Sequence, residues 1–250
     1  MSIYAQIAEE LRRDICQGAY HPGDKLPTEM QLSERFGVNR HTLRQAIALL
    51  KSEGLVRVEQ GRGTFVASTP IQYAIGKRVR YNEALKAQGK SSLFHFTQAI
   101  EVSASPSVAK ALNIQQGQPV ALLERLALAN QEPISVGTSY FPLWRFPDFL
   151  APDRIEALRS LGSISKFLQQ TYSCDHIRWR TAVSARLVKP ADARLLGLPL
   201  NQAILLAESF NVDQHGSLIE YGLTRFRGDR MELVFENDLS ESVNGTAGPS

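Results

Sequence analysis

Cysteine is scarce in this sequence, with only Cys16 and Cys174 among 250 residues. The two lie far apart and lack metal-ligand spacing, so we interpret them as reduced thiols and not as a disulfide framework. No apolar run approaches the roughly 18–20 residues that a membrane span needs. Residues 1–7 contain neither the basic segment nor the apolar core of an export signal. We therefore expect a cytoplasmic protein.

A strong net charge is also missing. Lys and Arg number 28 and Asp and Glu number 25, and the resulting charge of +3 is too small to indicate nucleic-acid binding by itself. An apolar content of 43% excludes wholesale disorder, and the length suffices for one large domain or two modest ones. Composition thus predicts a globular protein, and its function must be argued from local patterns.

The N-terminal segment, residues 1–67, predicts a compact unit of three helices and a hairpin. Residues 3–17 repeat apolar side chains at helical spacing, Thr28 can begin a second helix with a capping box, and Asn39 can cap a third. Residues 55–66 change to strand periodicity around a glycine-rich tip. Three short helices followed by a hairpin are typical of a winged helix-turn-helix domain.

The rest of the chain predicts an α+β domain. Residues 68–92 are interpreted as a linker, with a short helix at about 79–88, and residues 239–250 as a disordered tail. Between them, residues 93–238 have adjacent strands with hairpin-length connections, which favours an antiparallel sheet. The predicted strands are 120–129, 134–141, 181–188, 203–212 and 218–227, and the predicted helices are 104–112 and 163–172.

The third helix carries candidate DNA contacts in its first turn and a half. A recognition helix points this end at base edges, and here it holds Arg40, His41, Thr42 and Arg44. Arg40 and Arg44 lie four residues apart and share a face, so that one can contact guanine while the other binds phosphate. The alternative is that these side chains form an ordinary solvated helix face.

The predicted hairpin tip offers a second DNA contact. Gly61 allows the backbone to approach the minor groove closely, and Arg62 carries the charge that is attracted there. Basic and acidic side chains are nearly balanced in the segment 1–66, with nine of the former and eight of the latter. Attraction to DNA must therefore come from their local placement and from duplication in a dimer.

Several motifs in fixed order resemble the winged-helix domain of the GntR family of bacterial transcription regulators. They are residues 20–29, which begin Tyr-His-Pro-Gly-Asp, and residues 32–38, 40–46 and 61–66. The resemblance implies DNA contacts at Glu29, Arg40, Thr42, Arg44 and Gly61. Met30 stands where many members carry a basic residue.

The second half resembles the UTRA effector domain of the HutC subfamily. The resemblance is carried by residues 112–119, 123–126, 133–134, 139–140, 162–163 and 226–230. It implies a chorismate-lyase-like fold, an antiparallel sheet with helices that cradles a small ligand, and a homodimer. Within the subfamily the chain looks most like regulators of phosphonate utilisation.

A small anionic effector requires hydrogen-bond donors that converge in a cleft. The candidates are Arg125 on a strand, Ser163 and Ser165 at a helix start, and Arg178 and Arg180 on a further strand, with the choice between these two arginines left open. Glu220 is expected to accept from a hydroxyl or amine of the ligand. In related domains the counterparts of Arg125, Ser163, one of the two arginines and Glu220 line the pocket.

Other positions in this half receive no ligand role. Ala127 stands where many members carry a second arginine and Phe226 where a tyrosine is common, which argues for a ligand unlike an amino-sugar phosphate or for one fewer ligand contact. His176, like His95 and His215, has no partner spacing and is interpreted as ordinary. Trp179 and Tyr221 are expected in the core or at the rim of the pocket.

These observations predict a ligand-responsive repressor that binds operator DNA as a homodimer and responds to a phosphonate or phosphate ester. A sugar phosphate or an amino-acid catabolite is the alternative effector. An enzyme fused to a DNA-binding unit is disfavoured because no catalytic motif is present. A constitutive DNA-binding protein with an inactive pocket is the third alternative.

Overall fold

The computed structural model describes residues 2–59, 61–67, 70–78, 92–129 and 131–236. The chain divides into two compact units, Met1–Thr69 and Pro70–Ser250. The helix predicted at about 79–88 and the tail predicted at 239–250 lie outside the described residues.

The first unit has the predicted winged helix-turn-helix architecture. It contains helices α1 (Ile3–Cys16), α2 (Glu29–Phe36) and α3 (Arg40–Ser52), followed by an antiparallel hairpin of β1 (Val56–Glu59) and β2 (Gly63–Val66). The core of this unit is built from the apolar faces of the helices and the hairpin: Ile7, Ala8, Leu11, Leu26, Leu32, Leu43, Ala46, Ile47, Leu50, Val56 and Val66.

Side-chain caps define where α2 and α3 begin. Thr28 and Gln31 form a capping box at the start of α2. The side chain of Asn39 accepts a hydrogen bond from the backbone N–H of Thr42 at the start of α3. Such caps contribute about 1 kcal/mol each, and the cap at Asn39 also belongs to the short turn between the two helices. Gly37 ends α2 with a left-handed φ of 62°, which favours glycine.

The second unit is organised around an antiparallel sheet, as predicted, with six strands where the sequence analysis listed five. Its strands are β4 (Ser92–Ser103), β5 (Pro119–Ala129), β6 (Glu132–Pro142), β7 (Ile177–Leu187), β8 (Ala203–Val212) and β9 (Leu218–Arg227), in the order β4-β5-β6-β9-β8-β7. Its helices are α4 (Pro106–Leu112), α5 (Pro152–Leu161), α6 (Ile164–Tyr172) and α7 (Pro190–Leu196).

The largest core cluster of this unit is rich in aromatic residues. Phe141 and Phe149 stack with ring centroids 4.6 Å apart, and Phe167 of α6 meets Phe149 edge-on at 5.4 Å. Offset and edge-to-face pairs of this kind are the favoured arrangements of aromatic rings. They anchor α6, so that the first turn of this helix has a fixed position beside the sheet.

A short parallel strand pair departs from the sequence prediction. β3 (Ile71–Ala74) lies within the segment predicted as a linker, and it pairs in parallel with β10 (Met231–Val234). Ile71 and Tyr73 are buried while Gln72 is exposed, so the strand has ordinary alternation. A strand this short, whose partner lies far away in the sequence, leaves no distinctive local signal.

None of the helices in the described part of the chain has the length and apolar character needed to cross a bilayer.

Candidate DNA-binding and ligand-binding sites

The predicted DNA contacts of α3 lie on its exposed side. Arg40, His41 and Arg44 are exposed, whereas the buried side of the helix faces the core of the first unit through Leu43, Ala46, Ile47 and Leu50. The Thr42 hydroxyl donates to Oδ1 of Asn39 at 3.0 Å, so the cap also orients this side chain. The N-terminal turn of α3 therefore presents its polar groups to solvent in a defined arrangement.

Arg44 is held by an acidic residue from α2. Glu29 accepts hydrogen bonds from Nε of Arg44 at 3.0 Å to each carboxylate oxygen, and Nη2 lies 2.9 Å from Oε2. These contacts raise the pKa of Arg44. Arg40 forms no ion pair with any residue that the structure describes. The two arginines that share a face thus differ, since one is oriented by a carboxylate.

The hairpin tip has the backbone conformation that a close approach requires. Gly61 has a φ of 76° and Gly63 a φ of 122°, both in the region that favours glycine. Arg62 pairs with Glu59, and its guanidinium lies 5.6 Å from the centroid of the Phe65 ring. The predicted minor-groove arginine therefore has intramolecular partners, which DNA would have to displace.

The second unit contains a cavity of about 430 Å³. Its walls come from all six strands of the sheet, from the first turn of α6, and from Tyr73, Ile75 and Arg78, at the end of β3 and just after it. Of the six predicted effector residues, five line it: Arg125, Ser163, Ser165, Arg178 and Glu220.

Arg125 is positioned by small and polar neighbours on the next strand. Its Nη1 donates to Ser139 Oγ at 3.2 Å, and its guanidinium lies against Gly137. A Cβ atom at Gly137 would be 3.2 Å from Nε of Arg125, so the glycine provides the space for this side chain. Phe94 lies on the other side, with its ring centroid 6.0 Å from the guanidinium carbon.

Ser163 and Ser165 lie at the start of α6. Ser163 is the N-cap, and its hydroxyl accepts from the backbone N–H of Lys166 at 3.4 Å. Ser165 Oγ lies 2.8 Å from His176 Nδ1. Since the N-terminus of a helix attracts anions, this end of the cavity combines the helix dipole with the hydroxyl groups.

Glu220 is buried and bonded to protein groups. Its Oε2 lies 2.5 Å from His176 Nε2 and accepts from Asn211 Nδ2 at 2.6 Å. Burial alone would raise the pKa of Glu220, but His176, together with Arg125 and Ser139, lowers it to about 2. The ionised carboxylate thus organises the polar wall of the cavity, and because Glu220 also lines the cavity, a contact with the ligand stays a prediction.

Arg178 and Arg180 take different positions on β7. Arg178 lines the cavity and donates from Nη1 to the Gly76 carbonyl at 2.7 Å and from Nη2 to the Tyr73 hydroxyl at 2.8 Å. Arg180 is not among the lining residues, and its guanidinium lies 5.3 Å from the Phe210 ring. A shift in the pairing of β7 with β8 falls between the two arginines, and simple alternation therefore could not choose between them.

The cavity also contains residues that sequence reasoning did not select. His176 was interpreted as ordinary, but it bridges Ser165 and Glu220. Asn211 and Ser139 were not selected as ligand contacts, and both line the cavity. The contacts of His176 depend on residues 11 and 44 positions away, which only the fold brings together.

Four further positions were discussed from the sequence, and two of them lie on the apolar side of the cavity. Ala127 and Phe226, where the chain departs from the family pattern, line its wall. Trp179 is 65% exposed and lies outside the cavity lining, while Tyr221 is buried beside Phe210.

Two family models match the chain. Residues 3–66 match the bacterial regulatory proteins of the gntR family, and residues 87–232 match the UTRA domain. The chain therefore belongs to the GntR family of transcriptional regulators that carry a UTRA domain, as the motifs indicated. This is a family of DNA-binding regulators and not of enzymes.

Individual relatives agree with this assignment over nearly the full length. The probable transcriptional regulator PhnF of Escherichia coli (strain K12) is 32% identical, over 94% of this chain and 95% of the relative. A probable fructoselysine utilization operon transcriptional repressor of the same strain is 28% identical, over 94% of each chain. The crystal structure of PhnF from Mycobacterium smegmatis, 28% identical, matches with a TM-score of 0.63 over 93% of this chain and 99% of that one.

Proposed function

We propose that this protein is a repressor that releases operator DNA when a small anionic ligand occupies the cavity of its second unit. The observation that carries the ligand class is the convergence of Arg125, Arg178 and the N-terminal turn of α6 on one cavity. Guanidinium groups and helix N-termini are the groups with which proteins most often bind oxyanions.

Phosphonates and phosphate esters are the proposed effectors. The resemblance to regulators of phosphonate utilisation supports this choice. The apolar wall formed by Ala127 and Phe226 also supports it, because an amino-sugar phosphate would present polar groups there. A sugar phosphate or an amino-acid catabolite remains the second candidate, since one relative is named as a repressor of a fructoselysine utilization operon.

On the DNA side, we propose a homodimer acting in the cytoplasm. Two copies place their α3 helices in successive major grooves of a near-palindromic operator, with half-sites about one helical turn apart. Arg40 and Arg44 contact bases or phosphates, with His41 and Thr42 beside them, and the hairpin tip with Gly61 and Arg62 approaches the minor groove. The ligand lowers operator affinity because it binds more tightly to a conformation that binds DNA less well.

A thermal-shift screen of the purified full-length protein tests the ligand class. The compounds are alkylphosphonates, phosphate esters, sugar phosphates, amino acids and urocanate, with inorganic phosphate and sulfate as references. A ligand at a hundred times its Kd adds about 2.7 kcal/mol to native-state stability, which gives a clear shift. We expect shifts with phosphonates or phosphate esters.

Matched arginine variants assign the shift to the cavity. Arg125→Ala should abolish it, and Arg180→Ala, which removes an arginine of the same unit outside the cavity, should keep it. A shift with uncharged compounds alone, or one that survives in Arg125→Ala, would overturn the assignment of the ligand class.

A further inference from the structure

Three polar residues form a row across adjacent strands of the second unit. Arg178 on β7 stands directly opposite Asn211 on β8, and Asn211 stands opposite Glu220 on β9. Directly opposite residues in antiparallel strands point to the same face of the sheet, with Cα atoms about 5 Å apart. All three residues line the cavity, so this row is part of its wall.

The orientation of the Asn211 amide is fixed by its neighbour. Asn211 Nδ2 donates to Oε2 of Glu220 at 2.6 Å. The ionised carboxylate can only accept hydrogen bonds, so the amide nitrogen must face it and Oδ1 must point elsewhere. Asn211 is only 3% exposed, and this carbonyl oxygen is therefore a buried acceptor with a defined direction.

Two buried atoms of this row have no hydrogen-bond partner among the described residues: Asn211 Oδ1, an acceptor, and Arg178 Nε, a donor. The other guanidinium nitrogens of Arg178 are engaged by Gly76 and Tyr73. Buried polar atoms in native proteins are nearly always paired, so two unpaired atoms of opposite polarity on opposing residues indicate a missing group between them.

We propose that the effector carries a hydroxyl group that accepts from Arg178 Nε and donates to Asn211 Oδ1, and that Asn211 is the residue that selects it. A hydroxyl both accepts and donates, whereas an ammonium group can only donate and a methyl group does neither. The inference rests on the proposed function, because it describes a second group on the ligand whose oxyanion binds at Arg125 and α6. The ligand class is thereby narrowed to hydroxylated phosphonates or phosphate esters.

Isothermal titration of the full-length protein with three phosphonates of nearly equal size tests the proposal. The compounds are 2-hydroxyethylphosphonate, 2-aminoethylphosphonate and propylphosphonate, which end in hydroxyl, ammonium and methyl. The corresponding ester, 2-hydroxyethyl phosphate, distinguishes the two oxyanion sources. We expect the hydroxyl compound to bind about tenfold or more tightly than the methyl compound, since an analogue without the hydroxyl leaves buried groups unpaired.

Variants then assign the preference to the row. In Asn211→Ala the Kd values of the hydroxyl and methyl compounds should differ by no more than about twofold, which is the sign of a lost pairwise contact. Asn201→Ala, which changes an exposed asparagine in the turn before β8, should keep the ratio. Arg178→Lys retains the positive charge but removes Nε, so it should also lower the ratio without touching the bond between Asn211 and Glu220.

The outcomes separate this inference from the proposed function. Equal affinities for the hydroxyl and methyl compounds, or tightest binding of the ammonium compound, would overturn the proposal that the effector carries a hydroxyl group. The proposal of a phosphonate effector would still hold. No binding by any of the four compounds would overturn both. A hydroxyl preference that persists in Asn211→Ala and in Arg178→Lys would overturn the assignment to these residues. Thermal melts of each variant establish that it is folded.

Discussion

Glu29 of α2 holds the guanidinium of Arg44 of α3 by its Nε edge, at 3.0 Å from Nε to each carboxylate oxygen. Both side chains are largely exposed, so the pair adds little to the stability of the fold. Its effect is geometric, because a planar guanidinium fixed along one edge directs its remaining N–H groups in a set direction. The pair thus prepares one arginine of the recognition helix for contact with DNA.

The N-terminal turn of α3 is predicted to supply most of the base and phosphate contacts. Arg40→Ala and Arg44→Ala should each weaken operator binding about tenfold or more. Fluorescence anisotropy with an operator selected from a random DNA pool measures the change. Lys51→Ala, in the last turn of the same helix, is the matched control and should bind as the wild type does. Unchanged affinity in both arginine variants would contradict the recognition-helix assignment.

The contact between Glu29 and Arg44 predicts that the two substitutions are not additive. If Glu29 acts by orienting Arg44, Glu29→Ala should weaken operator binding in the wild type and have little further effect in Arg44→Ala. Contacting residues of this kind usually differ from additivity by more than the error of the measurement. A double-mutant cycle of operator affinities measures the coupling, and strict additivity would show that Glu29 contributes by another route.

Glu220 predicts a specific loss of stability in acid. Its pKa is about 2 in the folded protein and about 4.3 in an unfolded chain. Because the folded-state pKa is the lower one, the stabilising contribution is complete above about pH 4.3 and is lost as the pH falls towards 2. Urea denaturation between pH 7 and pH 3 should show a steeper fall in the free energy of unfolding for the wild type than for Glu220→Gln. Parallel pH profiles would contradict this prediction.

Gly137 predicts that the ligand site is sensitive to a single methyl group. Gly137→Ala places a Cβ atom about 3.2 Å from Nε of Arg125 and should displace the guanidinium. Crowding of this kind typically costs about 1–3 kcal/mol, so phosphonate affinity should fall about fivefold or more. Gly228→Ala, where the nearest atom outside its chain neighbours is a backbone oxygen at 3.7 Å, is the control. Equal affinities in the two variants, measured by titration, would show that Arg125 does not depend on this space.

Much of the first unit could be predicted from local signals. The caps at Thr28 and Asn39 and the change to strand periodicity after residue 55 are each encoded within a few residues. The motifs then identified the family over both halves of the chain. Local capping chemistry and apolar spacing are sufficient for helices of this kind because their information lies close together in sequence.

The second unit shows where such reasoning stops. The parallel pair of β3 and β10 joins segments from the beginning and the end of this unit, and no strand was predicted at β4. The position of Arg178 depends on an irregularity in strand pairing, and the role of His176 depends on Glu220, which is distant in sequence. These features follow from the register of the whole sheet. A shift of one residue in that register would turn each side chain of the strand to the opposite face.

The measurement that tests the central claim most directly is operator release by a phosphonate in the full-length protein. With the selected operator bound, titration with 2-hydroxyethylphosphonate should raise the apparent Kd for DNA by about 5- to 150-fold, the usual range of coupling between two sites. Arg125→Ala should bind the operator as the wild type does and fail to respond. Operator affinity that stays unchanged with every phosphonate and phosphate ester would contradict the account and indicate constitutive DNA binding.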